Sequence, residues 1–385
     1  MDSRQSTLNQ LFESTSFPED AFFASEIFAD KKMIIYGAGE GFHWVEEILM
    51  RHYHYKPEVV LDMSLKAGDS ILGIPGYSPQ EYIPSQEEQQ NAVVIISVGK
   101  VDYHAEIIDL LTQMGFKNIV LMKDIYEINN PFRLPETLQS QGFEYYLEQK
   151  AKIFKAYELF TDDESRDVFL TVLQTHMQRI PVVIPARPRD EQYFPPDIKL
   201  AKGYSRFVNC GAYDGDTIRL LNQVHGIVDE IVCFETEPQL FDRLTHYLRE
   251  KKEHLARNTV TAIPCAVYSQ TLLHPFISGG GLGSRVAENG DVQKQCVALD
   301  DVIPGFQPTF INMDIEGAEL DALQGAVQIL KLNTPDLGIS LYHTPNHLWD
   351  IPLFLNELDM GYHFYLRNYT SFTTETILYA SSGQS

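Results

Sequence analysis

Phe207-Val208-Asn209-Cys210-Gly211-Ala212-Tyr213-Asp214-Gly215-Asp216-Thr217 is the stretch on which the fold of this 385-residue chain turns. Phe207 to Cys210 reads as a buried strand, and beyond Gly215 the apolar residues Ile218, Leu221 and Val224 recur at helical spacing. The two glycines let the backbone turn sharply and come close to a ligand. Amides at the helix start then face a carboxylate or phosphate. Taken alone, such a turn serves equally well as a purely structural link.

Toward the C-terminus, Ile231 to Phe234 is a second strand, Val260 to Val267 a third, Phe310 to Met313 a fourth and Leu337 to Leu341 a fifth. Tyr362 to Leu366 and Thr376 to Tyr379 read as a closing antiparallel pair, and glycine-rich Leu272 to Val297 as an inserted hairpin. Strands alternating with helices imply right-handed crossovers and a parallel sheet. Toward the N-terminus, Pro181 to Pro196 is proline-rich and irregular. Pro135 to Ile180 is helical, with Thr161 as an N-cap and Glu164 its partner three positions on. A smaller alternation precedes it, with strands at Met33–Tyr36, Val59–Asp62, Val93–Val98 and Ile119–Leu121. The expected division is a polar leader at 1–30, a small Rossmann-like α/β domain at 31–130, a helical and proline-rich link at 131–200, and a larger α/β domain at 201–385.

Hydrophobic residues make up 44% of the chain and charged ones 22%, a globular balance. The net charge of −23 argues against a nucleic-acid partner, which would require clustered Lys and Arg. Cys210, Cys233, Cys265 and Cys296 form no Cys-x-x-Cys pair, and three of them sit in apolar runs. They read as small hydrophobes in a reducing setting rather than a zinc site, and no metal is expected from them. No run approaches the ~20 apolar residues of a membrane span, so the expectation is a cytoplasmic protein without a membrane partner.

The second strand ends in Glu235, where a carboxylate can accept from both hydroxyls of a ribose. The fourth runs into Asn312-Met313-Asp314-Ile315-Glu316-Gly317-Ala318-Glu319. Acids in a helix's first turn are favoured by its dipole whatever their function. Asp314 differs by standing at the carboxyl end of a strand, where α/β sheets bind ligands.

The strings VNCGAYDGDT, VCFETEP, CAVYS, VALDDVI, INMDIEGAELDALQGA and ISLYHTPNHLWDIP, in this order, resemble the FkbM family of methyltransferases. The resemblance implies a class I methyltransferase fold, a seven-stranded sheet with an antiparallel final pair, alongside the smaller N-terminal domain. It implies S-adenosylmethionine as cofactor and O-methylation of a sugar or related metabolite, so the partner is a small-molecule or glycan hydroxyl acceptor. Carried over, Gly211, Ala212 and Gly215 face the methionine part, Glu235 the ribose, and Ala266 and Val267 the adenine. Asn209, Asp214, Asp216 and Pro238 complete the cofactor set, while Ser284, Asp314, Glu316 and His343 border the reaction centre. Asn209 stands where the family commonly has Asp, which removes an anionic partner from the methionine ammonium.

Methyl transfer is an in-line displacement, and an alcohol benefits from a base that takes its proton. His343 or Asp314 is the expected base, at the ends of two predicted strands, with Glu316 beside them. His343 equally reads as a surface residue of a Tyr-His-Thr-Pro turn.

In the first domain, Tyr36-Gly37-Ala38-Gly39-Glu40-Gly41-Phe42 is a partial dinucleotide fingerprint with Phe42 in place of the last glycine, and Asp62 ends the next strand. A nucleotide or nucleotide-sugar at Gly37, Gly39 and Gly41 is one reading; a structural or homodimer-forming domain is the other. Two further alternatives stay open: an NAD-binding oxidoreductase built on this domain, and a binding protein without turnover.

Overall fold

The computed structural model describes residues 3–13, 31–53, 55–98, 103–122, 142–178, 184–277, 285–286, 290–370, 373 and 375–382. Most of the polar leader and Ser284 lie outside these residues. The chain forms two compact units, one of Glu13–Pro131 with Gln174–Val182, the other of Met1–Phe12, Phe132–Leu173 and Val183–Ser385.

The first unit holds β1 (Met33–Tyr36), β2 (Val59–Leu61), β3 (Asp69–Ile71), β4 (Ile74–Tyr77), β5 (Val93–Ile96) and β6 (Asn118–Leu121). Their order is β3-β4-β2-β1-β5-β6, with every pair parallel except the β3–β4 hairpin. That hairpin has no clear apolar alternation and turns at Leu72 (φ 50°) and Gly73 (φ 76°). Two left-handed residues suit a two-residue hairpin turn. All four residues of β1 and of β5 are buried, as expected for parallel strands covered on both faces. The fingerprint needs one correction. Close helix-to-strand packing falls to Gly41, where a Cβ would lie 2.0 Å from the Ser97 carbonyl oxygen. Phe42 is a core residue with Val45 and Leu49.

The second unit is built on β7 (Arg206–Cys210), β8 (Val228–Phe234), β9 (Ala256–Ile263), β14 (Phe310–Met313), β15 (Asp336–Ser340), β16 (His363–Asn368) and β17 (Thr376–Ser381). Their order is β16-β17-β15-β14-β7-β8-β9, with β17 antiparallel to both neighbours. From β7 the chain fills one side with β8 and β9 and later the other with β14 and β15. The crevice between the ends of β7 and β14 is therefore the switch point at which such sheets bind ligands. Phe207 and Phe310 stack at 5.5 Å in the core behind it, both fully buried. Each such side chain contributes on the order of 2–3 kcal/mol.

The expected third strand is divided. β9 ends at Ile263, because Pro264 has no amide to continue the ladder. Ala266 and Val267 form β10, which pairs with β13 (Val292–Val297) in a separate four-stranded sheet with β11 (Leu272–Ile277) and β12 (Arg285–Val286). That sheet contains the expected inserted hairpin.

Residues 142–173 and 184–200 belong to the same compact unit as the larger sheet. A helix Gly142–Leu159 is followed by Phe160, which bridges to Phe364 of β16, and by a helix Asp163–Gln178. The cap of that second helix is Asp162 rather than Thr161: its carboxylate accepts from the Ser165 amide at 2.8 Å, while the Thr161 amide goes to the Phe364 carbonyl. Arg367 of β16 is buried and donates to Asp162 (2.6 Å) and Asp197 (2.7 Å). Arg187 adds bonds to Glu164 and Asp197. The proline-rich segment is thereby tied to the sheet by charge. Arg367→Ala leaves two carboxylates facing a vacated buried position, and should cost about 3 kcal/mol. Urea unfolding of the full chain followed by near-UV circular dichroism measures it, and an unchanged midpoint would refute the account.

Candidate active site

After β7 the backbone turns through Gly211 (φ 83°), Tyr213 (φ 48°) and Gly215 (φ 94°) before the helix Asp216–His225. At Gly211 a Cβ would lie 1.9 Å from the carbonyl oxygen of Asp314, so only glycine fits between the ends of β7 and β14. The Gly211 and Ala212 amides both donate to the Phe234 carbonyl, at 3.1 and 2.9 Å. Glu235, the next residue, continues the strap. Its Oε2 accepts from the Tyr213 amide (2.9 Å) and its Oε1 from the Glu237 amide (2.7 Å). Burial raises its pKa, while the backbone bonds hold it down in part. A carboxylate has about four acceptor positions, so the amide bonds do not exhaust it.

Asn209 is fully buried, and neither its Oδ1 nor its Nδ2 has a partner among the described residues. The Oδ1 of its register neighbour on β14, Asn312, has no partner among the described residues either. The remaining expected cofactor residues are more scattered. Asp214 pairs with Arg219, and Asp216 is exposed and accepts from the Thr217 amide. Pro238 is an exposed first residue of the helix Pro238–Leu255, and Ala266 and Val267 lie on the smaller sheet.

On the other side of the crevice, the Asp314 amide donates to the Cys210 carbonyl (3.0 Å), and its carboxylate accepts from Tyr193 Oη (2.9 Å) and Tyr342 Oη (3.2 Å). Burial keeps both phenols protonated by raising their pKa. His343 is buried with Nδ1 2.8 Å from Glu319 Oε1 and Nε2 3.3 Å from Asp314 Oδ1 and 3.9 Å from Glu316 Oε2. Burial opposes charge on the ring, but Glu319, Asp314 and Glu316 outweigh it and raise its pKa. Burial also raises that of Asp314, against the attraction of His343. Glu319 is held well below the carboxylate range, because His343 and His347 offset its burial. Its Oε1 also accepts from the amides of Ile315 (2.9 Å) and Gly317 (3.3 Å). That is possible because Glu316 (φ 60°) and Gly317 (φ 100°) curl the chain back on itself.

The three expected reaction-centre acids and base thus come together, and His343 is not a surface residue. Glu319 and Tyr193 carry no such expectation from the sequence. Glu319 looks like an ordinary first-turn acid, with the preceding Gly317 as the only hint of a returning loop. Tyr193 lies in the proline-rich stretch and has no local signal. Asp314, Glu319 and His343 also offer ligand atoms within 4.8 Å of one another, an arrangement that cysteine and histidine spacing does not reveal.

The first unit repeats the strap on a smaller scale. The Gly37 amide donates to the Leu61 carbonyl (2.7 Å) and the Ala38 amide to Asp62 Oδ2 (2.9 Å). Asp62 Oδ1 is taken by the amide and hydroxyl of Ser64.

A doubly wound sheet with strand order β16-β17-β15-β14-β7-β8-β9, an antiparallel β17, a glycine turn after β7 and an acid after β8 define the class I methyltransferase fold. The family model of the methyltransferase FkbM domain matches residues 209–364, and the chain carries a methyltransferase domain of that family. The crystal structure of methyltransferase FkbM from Methylobacillus flagellatus KT superposes with a TM-score of 0.68 at 20% identity, over 98% of each chain. Aeropyrum pernix fibrillarin with bound S-adenosyl-L-methionine aligns over 48% of this chain and 69% of its own, at 11% identity and a TM-score of 0.31. An rRNA methylase from Streptococcus thermophilus aligns over 47% of this chain and 87% of its own, at 14% identity and a TM-score of 0.28. No curated protein matches the sequence. No helix among the described residues is long and apolar enough to cross a membrane.

Gly211→Ala combines a backbone clash with a left-handed φ and should cost at least about 2 kcal/mol. Gly305→Ala, with open space around it, is the control and should be near neutral. Scanning calorimetry of the two variants checks this; equal melting temperatures would contradict the packing argument.

Proposed function

We propose that the chain is an S-adenosylmethionine-dependent O-methyltransferase acting on a hydroxyl of a sugar or related metabolite. The observation that carries this reading is the strap at the switch point, where Tyr213 and Glu237 amides aim the buried Glu235 carboxylate. The residues fit the cofactor. Glu235 keeps acceptor capacity for a ribose diol, and Asn209 offers an amide oxygen that has no partner among the described residues. Such an oxygen suits an ammonium group, more weakly than a carboxylate would. Gly211, Ala212 and Gly215 form the turn against which the amino-acid part would lie, and Ala266 and Val267 would flank the base. When bound, the cofactor supplies an activated methyl group on a sulfonium.

The acceptor end would be formed by Asp314, Glu316 and His343. Asp314 keeps 29% of its side chain exposed and Glu316 26%, whereas His343 is enclosed. An acceptor hydroxyl therefore meets the carboxylates first, with the ring behind them. Tyr193 and Tyr342 hold the Asp314 carboxylate from the protein side, so that it presents a fixed face to the crevice. Orientation of this kind is the main contribution an enzyme makes to an in-line displacement.

Calorimetric titration with S-adenosylhomocysteine should give saturable binding, and titration with NAD none. Glu235→Ala and Glu235→Gln should each weaken the former by roughly 10- to 100-fold, the range for losing hydrogen bonds to a charged group. Wild-type affinity in both variants would refute the ribose assignment. With a methylated acceptor in hand, Asp314→Asn and His343→Ala should reduce kcat by at least about 100-fold with little change in cofactor affinity. Near-normal turnover in both would exclude these residues from the reaction centre.

A further inference from the structure

We propose that Lys294 is a positioning residue for the cofactor: its ion pair with Glu237 fixes the inserted sheet against the end of β8, and with it the wall that Ala266 and Val267 offer beside Glu235. The inference rests on the S-adenosylmethionine reading of the same crevice.

Glu237 stands where the strap meets a helix. Its amide donates to Glu235 Oε1 at 2.7 Å, and its carbonyl accepts from the Phe241 amide at 2.8 Å in the first turn of the helix Pro238–Leu255. The backbone is therefore held by the ribose-facing acid on one side and by the helix on the other. The side chain reaches across to β13, where its Oε1 forms an ion pair with the Lys294 ammonium. Both partners are largely enclosed, Lys294 with 14% of its side chain exposed and Glu237 with 20%. Lysine is rarely withdrawn so far from water unless it is paired. The ammonium also lies 5.5 Å from the centre of the buried Phe276 ring of β11, within cation–π range. With water held off, such a pair is worth more than its exposed counterpart.

The alternation of β13 says what this contact positions. Lys294 and Cys296 share one face of the strand, and Gln293 and Gln295 the other. Cys296 is fully buried and is the register partner of Ala266, so the face that carries Lys294 also carries Ala266. Gln293, Gln295 and Leu273, the partner of Gln295 on β11, are exposed. The Lys294 face is thus the inward one. The strands of the inserted sheet pair with one another and not with the larger sheet, from which the chain departs after Ile263. No ladder therefore sets its distance from β8. The pair between Lys294 and Glu237 links the two directly, one residue beyond Thr236 and two beyond Glu235.

The test is calorimetric titration of the full chain with S-adenosylhomocysteine. Lys294→Met and Glu237→Gln should each weaken binding roughly 3- to 10-fold, and the double variant no further than either alone, because the two side chains act as one unit. Lys294→Arg keeps the charge and should stay within about twofold of the wild-type chain, a rescue that a merely space-filling lysine would not show. Arg257→Met breaks an exposed pair with Asp229 at the opposite ends of β8 and β9 and should leave the affinity unchanged. Near-UV circular dichroism establishes that each variant is folded. Unchanged affinity in folded Lys294→Met, additive losses in the double variant, or a Lys294→Arg chain no better than Lys294→Met overturns the proposal while the cofactor reading stands. No saturable binding by the wild-type chain would retire that reading, and this role with it.

Discussion

Where β7 and β14 end, two backbones approach so closely that the Gly211 α-carbon rests against the Asp314 carbonyl, while the Asp314 amide bonds the Cys210 carbonyl. Much of the site follows from this contact. It sets the direction in which the turn leaves β7, and hence where the Tyr213 amide meets Glu235. It also sets where Asp314 emerges, and so the position of the carboxylate relative to His343. A side chain at position 211 would push the two halves of the crevice apart together. The requirement is steric, and no charge or hydrogen bond elsewhere can substitute for it.

The second constraint is electrostatic. Asp314, Glu316 and Glu319 converge on one imidazole, and burial makes each uncompensated charge expensive. The protein meets part of this cost with backbone amides on Glu319 and phenol hydroxyls on Asp314. Contrast the cluster of Arg367, Arg187, Asp162, Glu164, Glu191 and Asp197, where two guanidiniums meet four acids. That network closes on itself and works as a clamp on the proline-rich segment.

The two units use one local device twice. In each, the turn amides after the first strand bond the last carbonyl of the next strand and the acid that follows it. The difference lies in the acid. Asp62 is short and turns its second oxygen to the amide and hydroxyl of Ser64, whereas the longer Glu235 turns its own to the Glu237 amide.

Local pattern alone determined most of the larger sheet: the apolar runs at Phe207–Cys210 and Phe310–Met313 match β7 and β14 closely, because strands buried on both faces write their burial directly into composition. The glycine turn, Glu235 and the acid run after Met313 were visible for the same reason, being contiguous with those strands. The β3–β4 hairpin was not, since its edge strand is short and exposed. The break at Pro264 could be read as a weak point, but not that Ala266 and Val267 would join another sheet. Nor could any local signal bring Tyr193 from an irregular stretch to Asp314, or turn Glu319 back onto His343. Those contacts join residues distant along the chain, or depend on left-handed backbone at Glu316 and Gly317. Only the packed structure, by enclosing the charges together, decided which acids act on the histidine.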